Sequence, residues 1–147
     1  MNYNDIEVEK YANQISYKIV NSSIKNYPYP HTETSNILPN DILDEIENNF
    51  PKKGELVSNS DTQSVETFKK NSDEKHPYDF RYKIKLTDKK ELVKIQKPRS
   101  DFWEFFTKTI ASPIVIKSIL NVYNNYIKKR FGDKINDITF FANIDLI

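Results

Sequence analysis

Histidine chemistry is quickly enumerated in this sequence, because His31 and His76 are its only two histidines. His31-Thr32-Glu33 is formally an H-x-E pair, and with His76 far downstream it makes a nominal two-His-one-carboxylate facial set of the kind that holds iron. On a strand, positions 31 and 33 face the same way, as such a pair must. The pattern is undemanding, since any H-x-[DE] with a second His satisfies it. In the plainer reading His31 caps a proline-fixed turn and His76, before Pro77, sits in a long loop.

The other constellations have structural explanations. Phe102, Trp103, Phe105 and Phe106 could form a stacking platform, but their helical spacing favours core packing. Arg81, Lys83 and Lys85 alternate along one strand face, where a solvated surface explains them better than an anionic substrate. Asp41, Asp44, Glu45 and Glu47 fall in the first turns of a predicted helix, where acids complement the dipole. No glycines flank a serine as a nucleophile elbow requires. Cysteine is absent, which removes disulfides, thiolate metal sites and cysteine nucleophiles together.

Composition excludes more. Gly54 and Gly132 are the only glycines, so no phosphate-cradling glycine fingerprint can be built. The 22 basic and 21 acidic residues leave a net charge of +1, which argues against a dedicated nucleic-acid binder. Nineteen Lys, 18 Ile and 16 Asn against 3 Ala is the bias of an AT-rich genome rather than of a function. Met1 to Lys10 has no apolar run, and no stretch of about 18 apolar residues occurs. The chain reads as soluble, unexported and cytoplasmic, with neither nucleic acid nor membrane as partner.

These residues are positioned by a predicted α+β order. Residues 1–14 read as a flexible N-terminal extension, and 15–147 as a single, incomplete α+β domain. Ile15–Val20 is β-branched and aromatic and predicts a strand. Tyr27-Pro28-Tyr29-Pro30 is extended, and the chain can pair from His31 to Ser35. Pro39 opens a helix with an Ile42, Leu43, Ile46 and Phe50 stripe, stopped by Pro51. A long polar loop follows over 52–77. Asp79–Leu86 alternates, with Phe80, Tyr82, Ile84 and Leu86 on one face, and predicts a half-buried strand.

After a helix-capable turn at Asp88–Lys94, Pro98 opens a helix through Ile110. Ser112-Pro113 starts the longest helix, to Phe131, with an Ile116, Ile119, Leu120, Tyr123, Ile127 and Phe131 stripe and Gly132 at its end. Asp137–Ile147 predicts a final strand.

Several motifs in this order carry a resemblance: Tyr27-Pro28-Tyr29-Pro30-His31, Asn36-Ile37-Leu38-Pro39, Ile42-Leu43 through Phe50-Pro51, Trp103-Glu104-Phe105 and Ser112-Pro113. Over residues 15–147 the chain resembles the N-terminal region of Fe(II)/2-oxoglutarate-dependent oxygenases of the prolyl-hydroxylase-like type. The resemblance implies a double-stranded β-helix (jelly-roll) hydroxylase using Fe(II) and 2-oxoglutarate, with strands packed by two or three helices. The family's H-x-D, second His and co-substrate Arg or Lys would fall beyond Ile147, and His31 matches a histidine that is not a ligand. The resemblance therefore assigns no catalytic, cofactor or metal residue here. It implies a support region, inactive alone and partnered by an oxygenase core. The alternative is a free-standing α+β interaction module that pairs with a partner or a second copy through its last strand.

Overall fold

The computed structural model describes residues 3–52, 55, 57–58, 82–137, 139 and 144–146. Along the chain run helix α1 (Asp5–Val20), strands β1 (Ile24–Lys25) and β2 (His31–Thr32), helix α2 (Asn40–Asn48), and strands β3 (Val57–Ser58) and β4 (Tyr82–Lys85). Helices α3 (Lys89–Leu92), α4 (Arg99–Ile110), α5 (Pro113–Val122) and α6 (Asn124–Phe131) follow, then a 3-10 segment (Gly132–Asp137) and strand β5 (Asp145–Leu146). Helices with short antiparallel strands make the protein α+β. Where the sequence predicts one domain over 15–147, the chain divides into two compact units, Met1–Asn48 with Phe105–Ala142 and Asn49–Glu104 with Asn143–Ile147. One of the divisions falls inside α4, where no linker composition marks it.

In the first unit the predicted strand at Ile15–Val20 is instead the second half of α1, and residues 5–14, read as an extension, are its first half. Strand propensity over six residues loses here to a longer helical pattern: Tyr11, Ala12, Ile15 and Ile19 recur at helical spacing, and the first three are buried. Asn4 caps the helix by accepting from Glu7 N at 2.9 Å, and Asp5 and Glu7 face the positive end of its dipole. Ala12 and Ile15 form a core cluster with Val115, around which Ile19, Ile37, Leu38 and Ile110 pack.

The predicted helix through Phe131 is two helices, α5 and α6, broken at Tyr123. Its buried face is also rotated from the predicted stripe. Val115 and Ser118 are buried, whereas Ile119 is 43% exposed. Small residues explain the choice, because α1 and α5 approach closely enough for the Ser16 and Ser118 hydroxyls to lie 2.5 Å apart. Ser112 caps α5 by accepting from Val115 N at 3.4 Å, ahead of Pro113 in the first turn, as predicted. Ser112→Ala is expected to cost about 0.5–1 kcal/mol, the low end for a cap with so long a bond, while Ser112→Asp retains most of it; urea unfolding followed by circular dichroism measures both. Gly132 ends α6 at φ 56°, a conformation glycine adopts freely.

Helix α2 begins where predicted, with Ile42 N and Leu43 N donating to Pro39 O at 3.1 Å. Only part of its expected stripe is inside. Ile42 is buried and Ile46 half-buried, but Leu43 and the following Phe50 are exposed.

In the second unit β3, β4 and β5 form an antiparallel sheet with β4 in the middle. Val57 faces Lys83 on one side and Ile84 faces Leu146 on the other. The alternation predicted for β4 holds where it is described: Ile84 and Leu86 are buried and Lys85 is exposed. Leu92, Ile95, Phe102 and Trp103 complete this core. The final strand is shorter than predicted, since Asp137 belongs to the 3-10 segment and pairing is confined to Asp145–Leu146. Of the loop predicted over 52–77, only Lys52, Glu55 and β3 are described. Phe80, Arg81 and His76 lie outside the described residues. Among the described residues no single helix is long and apolar enough to cross a membrane.

Candidate functional site

The hairpin of the first unit carries the only described histidine. Its strands pair Ile24 with Thr32 and Lys25 with His31, and Pro28 and Pro30 restrict the backbone of the tip between them. His31 Nδ1 lies 2.8 Å from Tyr29 O, so the ring closes the turn as the plainer sequence reading has it. His31 Nε2 is 3.8 Å from Glu33 Oε1. Glu33 in turn accepts from the Lys25 ammonium, whose hydrogen bond and charge hold the carboxyl below its ordinary range. The H-x-E residues are thus brought together and both are engaged, while His76, the third member of the nominal set, lies outside the described residues. Among the described residues no three His, Cys, Asp or Glu side chains gather as a metal site.

The acids of α2 serve α1. Tyr11 OH donates to Asp41 Oδ2, and Tyr3 OH donates to Glu45 Oε2 at 2.7 Å. Burial, then the bond to Asp41 and its charge, push the Tyr11 phenol above its ordinary pKa. Phe105 closes this corner, its ring 5.9 Å from Tyr11 in an edge-on arrangement and 5.3 Å from Tyr3. The paired-carboxylate reading of 41–47 thus gives way to a buried phenol network. Asp44 and Glu47 are exposed.

Of the four aromatic residues predicted as core, Phe102, Trp103 and Phe105 are buried and Phe106 is only half-buried. In the second unit Phe102 and Trp103 are fully buried, with ring centroids 5.0 Å apart, and Trp103 Nε1 donates to Asn49 O at 2.7 Å. Beside them lies an ion pair that the sequence does not single out. Glu55 accepts from Lys52 N and Gln96 N, each at 2.8 Å, and from Arg99 Nη2. Its burial raises the carboxyl pKa, but the two backbone donors and Arg99 outweigh that and hold it below the ordinary value. Arg99 Nε is buried with no hydrogen-bond partner. Both oxygens of Glu55 accept from the protein's own donors, so the pair has a structural role.

One concave feature of the first unit is built from residues that sequence reasoning placed elsewhere. The hairpin tip, through Asn26, Tyr29 and Pro30, and the run Tyr123–Phe131 enclose an open groove of about 890 Å³, within the roughly 300–1,000 Å³ of ligand sites. Tyr126 OH donates to Asn26 Oδ1 at 2.5 Å, and Tyr123 OH donates to Thr32 Oγ1 at 3.1 Å, which fixes both rings against the hairpin. Lys129, Arg130 and Phe131 continue the wall. Periodicity assigns Tyr123, Ile127 and Phe131 to a buried stripe and Lys129 and Arg130 to the helix dipole. The signal that points to the groove is two cations interleaved with aromatics. Among the described residues the lining holds aromatic rings and two cations and no carboxylate, imidazole, thiol or serine.

No protein-family model matches the chain, and neither a curated protein nor a solved structure matches it.

Proposed function

We propose that this chain is the N-terminal support region of an Fe(II)/2-oxoglutarate-dependent oxygenase-like protein, a hydroxylase scaffold that does not turn over alone. One observation carries the reading: the residues of the resemblance work as turns, caps and core rather than as ligands. His31 closes the Tyr27–Pro30 turn ahead of β2, Pro39 caps α2, Trp103 is core and Ser112 caps α5. A support region needs those roles, in that order, to hold helices against a jelly-roll sheet. Iron and 2-oxoglutarate would belong to the partnering core, as the resemblance implies, and His31 and Glu33 are engaged with Tyr29 O and the Lys25 ammonium.

Incubating the purified chain with Fe(II) and 2-oxoglutarate is expected to release no succinate above a protein-free control. Turnover that disappears in His31→Ala and His76→Ala would overturn the proposal and restore the nominal facial set. Reading the gene past codon 147 supplies the positive arm, where an H-x-D within several tens of codons, in the same or a shifted frame, is expected. Its absence from every frame counts against the family.

Among the described residues β5 lies at a sheet edge, which favours a second reading, an interaction module that pairs through this strand. A concentration-dependent dimer in light scattering, lost on Leu146→Pro, supports that reading over the first.

A further inference from the structure

The groove of the first unit presents aromatic surface and positive charge together. Tyr29 is 66% exposed and Phe131 37% exposed, an unfavourable display for rings that serve only packing. The hydroxyls of Tyr123 and Tyr126 are already satisfied by Thr32 and Asn26, so these residues offer the groove ring surface rather than a polar handle. Their centroids lie 6.5 Å apart with planes inclined at 59°. Lys129 and Arg130 line the same wall, with no acid in the lining and no acidic ion-pair partner among the described residues. The Arg130 guanidinium lies 5.5 Å from the centre of the Phe131 ring, an arrangement in which a base could extend the stack.

We propose that this groove binds single-stranded nucleic acid, two or three nucleotides at a time, with bases on the tyrosine and phenylalanine rings and phosphates on Lys129 and Arg130. Charge complementarity selects an anion, and the rings select one with planar faces. An acidic peptide satisfies only the cations, and a proline-rich peptide only the rings. A single strand satisfies both, because every base has a π-face and every linkage a charge. The overall charge of +1 argues against a tight, dedicated binder, but phosphates sense the local field of Lys128, Lys129 and Arg130, which supports a weak one. Two phosphate contacts give a salt slope of about −1.4 and a Kd on the order of 10 μM.

The test is fluorescence anisotropy with labelled ten-nucleotide oligo-U and oligo-dT, titrated with the full chain from 50 to 200 mM salt. Saturable binding of both with that slope, and at least tenfold weaker binding of a duplex of equal length, is expected. Tyr29→Ala and the pair Lys129→Gln with Arg130→Gln each lower affinity about tenfold or more; thermal unfolding is unchanged in Tyr29→Ala, whose side chain is exposed, and shifts by no more than a few degrees in the pair, which leaves Lys128 at the end of the helix. The proposal is overturned by no binding at 100 μM chain, by binding that ignores both sets of substitutions, or by poly-glutamate competing as well as oligo-U. None of these outcomes depends on the oxygenase reading.

Discussion

Trp103→Ala lowers the stability of the second unit by about 3–5 kcal/mol, the cost of removing a large aromatic from a core that relaxes only partly. The indole is fully buried and packs edge-on against Phe102. It also supplies the donor that buried Asn49 O accepts from at 2.7 Å. Trp103→Phe separates the two contributions. It keeps most of the volume and loses the hydrogen bond, so about 1–3 kcal/mol is expected. Urea unfolding read by circular dichroism measures both variants. A Trp103→Ala variant within about 1 kcal/mol of the parent would mean that the indole is not core.

Glu55→Ala costs the same unit about 3 kcal/mol near pH 7, the low end of the range for breaking a buried pair, since the side chains are still 10% and 17% exposed. The loss withdraws one acceptor from three donors and leaves the Arg99 guanidinium, whose Nε already lacks a partner, enclosed without its counter-charge. The pH dependence follows from the lowered carboxyl pKa. A group depressed in the folded state stabilises fully above its unfolded value, near 4.5, and stops doing so as pH falls through the folded value. The gap between parent and Glu55→Ala is therefore expected to be widest above about pH 5 and to close as pH falls below about 4.5 and through the lowered folded value. Trp103, the chain's sole tryptophan, lies in this unit and reports it by fluorescence. A gap that does not narrow at all as the parent is acidified to its own unfolding would assign the loss to packing rather than to charge.

These two residues differ in how they could be found. Trp103 is legible, because a large aromatic at helical spacing with Phe102 and Phe106 belongs to a core whatever surrounds it. Glu55 is not. It is one acid in a polar stretch, and its partners, the Gln96 amide and the Arg99 side chain, become neighbours only through folding. The same division runs through the rest of the chain. Pro39, Asp88, Ser112 and Gly132 mark helix ends in the sequence and in the structure alike, because capping is settled within four residues of backbone. The Ile84 and Leu86 alternation is equally local. Ile15–Val20 misleads because a six-residue run with four β-branched or aromatic residues does not reveal that Tyr11 and Ala12 extend its pattern backwards at a helical period.

What the sequence determined by itself is therefore α2, β4 and the starts of α3, α4 and α5, but not β3, which falls in the stretch read as a loop, together with the buried aromatics of α4 and the classes of chemistry that two glycines and no cysteine leave out. The tertiary structure decided which faces meet. Ser16 and Ser118 select the buried side of α5 over a more apolar stripe, and Asn26 and Tyr126, a hundred positions apart, close the aromatic groove. Caps and periods are energies of neighbouring residues, written where they act. Face selection and groove closure are energies between residues the chain separates, and they exist only once it has folded.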